Sequence, residues 1–274
     1  MNATDRAERS TSADPHRSAQ EFVDYYIDRH DSPEMVSRFE LLKAKILAFL
    51  ATRPGYSAET VLDIGCGPGT EALIWAAGGY RVSALDINGP VVEHAKEKAR
   101  DRHLEVDFRL GSATALPWQA ASFDLCLLPE LLEHVSEWRT VLDEAVRVLR
   151  PGGLLYLSTT NALCPRQEEF DLPCYSWYPG WLKRRYERLA VTSRPELVNH
   201  ATYPAINWFT PYGLSQELRS RGLVSYDRFD LLDVGTDSGA KKIVATLCRS
   251  LAPVRFVGHC CTSSTTLFAI KSQA

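Results

Sequence analysis

The chain has 274 residues, a formal net charge of −3, and 45% hydrophobic against 24% charged residues. These are the proportions of a soluble globular protein, long enough for one large domain or a core with a cap; the slight acidity gives no general attraction to nucleic acid, and no apolar run is long enough to span a bilayer. Seven cysteines, scattered and without a C-x-x-C pair, exclude a disulfide framework and a thiolate zinc site and point to a reducing cytoplasm.

Met1 to about Ser18 is polar, lacks the apolar core of a signal peptide, and is expected to be a disordered tail. Residues 19–56 read as a helical cap, with two helices between Ala19 and Leu50 broken near Asp31-Ser32-Pro33. Next comes Val61-Leu62-Asp63-Ile64-Gly65-Cys66-Gly67-Pro68-Gly69-Thr70. Here a buried strand, Thr60 to Ile64, runs into three glycines at alternate positions and then a helix from Thr70 to Ala77. Such a loop lets backbone approach a ligand closely, because no Cβ intervenes. A second strand, Arg81 to Asp86, ends in an acid able to accept both hydroxyls of a ribose. A helix from about Pro90 to Asp101 follows, then strands at about Glu105 to Leu110 and Phe123 to Leu128. A helix from about Trp138 to Leu149 is stopped by Arg150-Pro151-Gly152-Gly153 before a strand from Leu154 to Thr159. This alternation implies a mostly parallel sheet covered on both faces.

The rhythm lapses over residues 161–210, a stretch rich in Pro, Trp, Tyr and Arg. A run this long without strands usually carries function. Within it, Tyr175-Ser176-Trp177-Tyr178-Pro179-Gly180-Trp181-Leu182-Lys183-Arg184-Arg185-Tyr186 mixes aromatic and basic residues. Tyr178, Trp181, Leu182 and Leu189 are spaced to share a helical face. Segment 175–189 therefore suits an aromatic acceptor pocket, a clasp for an anionic group, a peripheral membrane contact, or plain packing on the sheet. A helix at about Pro211 to Arg221 and strands at about Val224 to Leu231 and Thr265 to Ile270 close the chain.

The glycine loop departs from the dinucleotide fingerprint G-x-G-x-x-G, because Gly69 falls one residue early and Thr70 stands where the third glycine belongs. Asp63, Gly65, Gly67, Gly69 and Asp86 instead resemble the S-adenosylmethionine (SAM) binding half of class I methyltransferases. Pro129-Glu130-Leu131-Leu132-Glu133-His134-Val135 resembles the E-x-x-E-H-V segment of the ubiquinone-biosynthesis O-methyltransferases, and the resemblance runs from about Val61 to Thr160. It implies a single α/β domain over residues 19–274. The fold would be a Rossmann-like, mostly parallel seven-stranded sheet with helices on both faces, an antiparallel C-terminal hairpin, an N-terminal helical cap and an insert after strand five. The cofactor would be SAM, held by Asp63, Gly65, Gly67, Gly69, Asp86 and Ile87, by Ser112 and Ala113 against the adenine, by the Pro129 backbone, and by Arg38 at the methionine carboxylate. Trp118 would lie near the adenine or simply in the core, and His200, Trp208 and Phe209 fall where the family keeps acceptor-pocket residues.

Three roles stay open for Glu130, Glu133 and His134. His134 can serve as a general base; the three side chains can hold a divalent metal such as Mg²⁺ or Zn²⁺; or Glu133 and His134 merely cap the following turn. The expected activity is methyl transfer to a hydroxyl of a small-molecule acceptor, with no nucleic-acid partner. N- or C-methylation, or SAM binding without catalysis, are the alternatives.

Overall fold

The computed structural model describes residues 27–53, 56, 58–167, 169–194, 197–198, 205–231 and 240–273; the expected tail, the start of the cap and His200 lie outside them. Seven strands, β1 (Thr60–Ile64), β2 (Arg81–Asp86), β3 (Val106–Leu110), β4 (Phe123–Pro129), β5 (Leu149–Thr160), β6 (Leu223–Asp227) and β7 (Ser264–Lys271), form one sheet in the order β3-β2-β1-β4-β5-β7-β6. Only β7 runs against the rest, pairing antiparallel with both β5 and β6. The order reverses at β1, where β2 lies on one side and β4 on the other, which is the point at which open α/β sheets bind ligands.

The central strands are apolar throughout because helices cover both faces. Along β1 the side chains alternate between the two layers. Leu62 and Ile64 join Val141, Leu142, Ala145 and Val148 of helix α4 (Trp138–Val148) and Leu214 and Leu218 of α6 (Pro211–Ser220). Val61 joins Ile46 and Leu50 of α1 (Pro33–Ala51), Leu73 and Trp75 of α2 (Thr70–Ala77), and Val92 and Ala95 of α3 (Gly89–Asp101). Asp63 thus points into the same layer as the cap.

The cap helix begins where its sequence breaks. Ser32 is the N-cap, its Oγ accepting from Met35 N at 3.3 Å, and Pro33 opens the helix. Asp31, just before, ties the cap to the glycine loop. It accepts from Thr70 Oγ1 at 2.6 Å and from Lys98 Nζ, which also donates to Pro68 O at 3.0 Å.

Three differences from the expected elements have local causes. Strand β5 starts at Leu149, through a register shift opposite Phe123 and Leu125, so the Arg-Pro-Gly-Gly stop is a bulged strand entrance with Gly152 at φ 76°. Strand β6 ends at Asp227 rather than Leu231, because Asp227 Oδ1 accepts from Phe229 N at 2.8 Å and turns the chain. Two unanticipated helices, α7 (Ala240–Ser250) and α8 (Ala252–Cys260), precede β7. Arg255 and His259 of α8 each reach Asp227 Oδ2 at 2.8 Å, a docking that no periodicity foretells. In the insert, α5 (Gly180–Thr192) forms as predicted, but Trp181 stands on its outer face, 63% exposed, while Tyr178 and Tyr186 gather on buried Phe170, Tyr175 and Ala190.

Lys98→Met removes the cationic centre of the cap tether. It should lower folding stability by about 1–3 kcal/mol and speed amide exchange in α1, read by urea unfolding and hydrogen exchange. Unchanged values in both would show that the cap is held by its apolar face alone.

Candidate active site

The three loop glycines all have positive φ, 78° at Gly65, 51° at Gly67 and 76° at Gly69, a conformation that costs other residues strain. Each has a separate task. Gly65 N and Cys66 N donate to Leu85 O at 2.8 and 3.1 Å, so the loop folds back onto β2. Gly67 N donates to Asp86 Oδ2 at 2.9 Å, while Asn88 N holds the other carboxylate oxygen at 2.9 Å. At Gly69 a Cβ would lie 2.8 Å from the Phe108 ring and 2.9 Å from Ala95, so this glycine lets α2 press onto the neighbouring elements. At Gly65 a Cβ would lie 2.9 Å from a methyl of Leu131.

Above the loop opens a cavity of about 1140 Å³. Of the residues expected to hold SAM, Arg38, Asp63, Gly65, Asp86, Ile87, Ser112, Ala113 and Pro129 all line it; Gly67 and Gly69 do not, acting instead through loop shape and packing. The Ser112 hydroxyl is engaged locally with Thr114, at 2.7 Å from Thr114 Oγ1. Trp118 packs edge-on against Phe123 and does not border the cavity, which settles it as a core residue.

Asp63 is the most unusual group here. It is buried, yet among the described residues neither carboxylate oxygen has a hydrogen-bond partner. Burial, reinforced by the charge of Asp86, pushes its pKa up to about 7. Glu71, one residue into α2, shares its situation: it is buried, unpartnered, and raised well above the usual range by burial and by Asp63. Two buried acids facing a cavity, with only the half-exposed Arg38 acting on Glu71, fit a ligand that brings a positive charge. A glycine loop, a ribose-height carboxylate and an ammonium-sized acidic corner together suit SAM.

The far half of the cavity carries Glu130, Glu133 and His134, and they part company. Glu130 has a left-handed backbone, φ 48°, which turns its side chain into the cavity. There it accepts from Ser158 Oγ at 2.6 Å, with Arg38 at 3.6 Å. Glu133 is fully buried; one carboxyl oxygen takes Thr159 Oγ1 at 2.8 Å and the other has no partner. Burial first, then the charge of Glu130, raises its pKa well above the usual carboxyl range. His134 ends a single 3₁₀ turn, Leu132–His134, and is exposed at the cavity rim. Among the described residues no three His, Cys, Asp or Glu side chains converge to hold a metal. The metal alternative therefore has no ligand cluster to rest on, because a three-residue turn sends adjacent side chains in different directions.

Several cavity residues were not legible in sequence. Ser158 and Thr160 lie at the carboxyl end of β5, where the switch-point rule gave a signal that was there to use. Glu71, Arg228, Ser264 and Thr266 also line the cavity. Of the insert residues, Trp208 borders it, whereas Phe209 packs on Trp138 in the core.

Residues 62–157 match the family described as methyltransferase domain. The chain is 33% identical over 144 residues to the ubiquinone biosynthesis O-methyltransferase of Maricaulis maris, covering 52% of this chain and 56% of that one. It is 34% identical over 116 residues to the enzyme of the same name from Xanthomonas oryzae, covering 42% and 48%. It thus spans about half the length of these curated relatives. Among solved structures, the plantazolicin methyltransferase BamL, in complex with a substrate analogue and SAH, superposes with a TM-score of 0.59 at 14% identity over 94% of this chain and 92% of that one. Magnesium protoporphyrin IX methyltransferase from Synechocystis, also with bound SAH, gives 0.55 at 15% over 93% and 95%. Residues 62–157 thus carry a methyltransferase domain, and nearly the whole chain shares the fold of these two solved structures.

A carboxyl whose pKa is higher folded than unfolded favours the fold in its protonated form. The contribution of Asp63 is therefore present at low pH and lost as pH rises to about 7. Relative to wild type, Asp63→Asn should gain stability across that range, by up to about 1.4 kcal/mol per pH unit. Thermal melts of the ligand-free proteins from acid to neutral pH test this; a difference constant with pH would mean that Asp63 is ionised throughout.

Proposed function

We propose that this protein transfers a methyl group from SAM to a hydroxyl of a small-molecule acceptor. The observation that carries this reading is the unpartnered, buried Asp63 beside Asp86 on one cavity wall. An ammonium group at Asp63 would supply the partners that its carboxylate lacks, next to a ribose at Asp86. When bound, SAM supplies an electrophilic methyl group on a sulfonium centre. Asp86 would take ribose hydroxyls on the lone pairs that Gly67 and Asn88 leave over. Arg38 would hold the methionine carboxylate, and the Ser112-Ala113 turn the adenine edge. The names of the curated relatives support a hydroxylated small acceptor.

What remains for the chain is to align the acceptor and remove its proton. Glu133 is unfit for that, being fully buried and committed to Thr159. His134, at the rim, is the proposed general base. One observation favours a second reading, Glu130 as the base: its left-handed backbone and its bond from Ser158 aim a carboxylate into the cavity. Exposed Trp177 and Trp181 beside exposed Arg184 and Arg185 support contact of segment 175–189 with an anionic membrane surface. All seven cysteines are free, which supports a reducing compartment; among the described residues no helix is long and apolar enough to cross a membrane.

Asp86→Ala should weaken SAM binding by about 1.5–3 kcal/mol, the scale of hydrogen bonds to a charged group, in calorimetry on the folded variant. Unchanged affinity would remove Asp86 from the cofactor site.

His134→Ala should lower turnover of SAM to S-adenosylhomocysteine (SAH) by about 10²–10⁴-fold with SAM affinity kept, and wild-type activity should fall on acidification through the imidazole range. If Glu130→Gln shows that pattern and His134→Ala does not, the carboxylate is the base. Loss of activity on EDTA treatment, restored by Mg²⁺ or Zn²⁺, would return the metal to consideration. Binding of SAM without turnover of any acceptor would favour a SAM-binding regulator.

A further inference from the structure

Arg228 lies one residue past β6, at the end of the sheet where the cavity opens, and lines that cavity. Its Nη2 donates to the Ser264 carbonyl, to Ser264 Oγ at 3.2 Å and to Thr266 Oγ1 at 3.2 Å. Its Nε is buried and has no partner among the described residues. Among the described residues it forms no ion pair, although Arg255 nearby has two carboxylates, Asp227 and Asp230. The acids that act on Arg228 electrostatically are already committed: Asp227 to Arg255 and His259, Glu130 to Ser158 and Arg38. A largely buried cation without a counter-charge is costly unless a ligand supplies one.

The surroundings are built to receive an anion. Ser264 and Thr266 accept from the guanidinium through their oxygens, and among the described residues neither hydroxyl proton has an acceptor. Both protons, with the free Nε–H, can therefore turn to one ligand. The methionine carboxylate of SAM is not that ligand. The guanidinium rests on Ser264 and Thr266 of β7, three strands from the glycine loop on β1, roughly 14 Å at a strand spacing of about 4.8 Å. The reacting end is nearer. Pro129, Ser158 and Thr266 stand in register across β4, β5 and β7, which puts the guanidinium site roughly 10 Å from the end of β4.

We infer that Arg228, Ser264 and Thr266 form the subsite for a carboxylate carried by the methyl acceptor, at the opposite end of the acceptor from the methylated hydroxyl. The inference rests on the methyltransferase reading. A carboxylate matches the single charge of one arginine and the planar set of donors. It would select acidic hydroxylated acceptors, with the hydroxyl near Glu130 and His134 and the acid group several bonds away.

The test is calorimetry on the full chain with two probes of equal shape, 4-hydroxycinnamate and its neutral amide, each with and without saturating SAH. SAH uptake reports on the cofactor reading; the carboxylate-to-amide ratio reports on Arg228, and each can fail alone. Wild type should prefer the carboxylate by about ten-fold or more, the effect of one charge-assisted hydrogen bond. Arg228→Gln should bring the ratio close to one with SAH affinity unchanged, and Thr266→Val should reduce it severalfold. Equal binding of the two probes to wild type, no binding of the carboxylate at millimolar concentration, or a preference that survives Arg228→Gln overturns the proposal. If Arg228→Gln does not fold, the wild-type ratio and Thr266→Val still decide.

Discussion

The carboxylate of Asp86 reaches from the end of β2 to the amide of Gly67, and the architecture of the site follows from that bond. With Leu85 O taking the amides of Gly65 and Cys66, it binds the glycine loop to the neighbouring strand. The loop can then adopt three positive-φ turns without fraying, and α2 leaves it at an angle that brings Gly69 against Phe108. The cavity is the space left above this rigid floor. The cap closes one side through Asp31 and Lys98, which grip the loop from outside the cavity. Loop, cap and cofactor wall are therefore one mechanical unit, and a ligand there meets donors and acceptors already in place.

The cavity is electrostatically divided. Asp63 and Glu71 form an acidic corner beside the loop, and Arg228, without an ion pair among the described residues, stands on the far wall. Between them Glu130 is shared by Ser158 and Arg38, while burial favours the neutral form of Glu133. A folded core tolerates such unpaired groups only where the sheet is otherwise well packed, as the two continuous layers on β1 and β4 are. Violations of local satisfaction concentrated in one cavity are the mark of a site rather than of poor packing.

How far the sequence could be read depended on the range of the interactions involved. The strands β1 to β4 and helices α1 to α4 fell within a residue or two of expectation, because apolar runs, Ser32 as a cap and the three glycines are local signals. That Asp63, Gly65 and Asp86 share one wall of the cavity was legible for the same reason: they are joined by one strand-loop-strand unit. The E-x-x-E-H segment was legible as a site segment but not as chemistry. Its three groups meet different neighbours, Ser158, Thr159 and the cavity rim, and those neighbours come from β5 or from open space. Periodicity likewise grouped Trp181 with Tyr178, Leu182 and Leu189 on one face of α5, whereas Trp181 stands out in solvent and Tyr178 packs on Phe170 and Tyr175.

By itself, then, the sequence determined the alternation of strands and helices, the bend of the glycine loop and the acid at each end of the cofactor wall, since each depends on residues close in the chain. Tertiary structure alone decided what lies on the acceptor side. The placement of β7 between β5 and β6 brought Ser264 and Thr266 alongside Ser158 and Thr160, and the docking of α8 on Asp227 left Arg228 without a carboxylate. Contacts across about 30 to 100 residues of chain depend on strand order and burial, which amphipathic patterns do not encode.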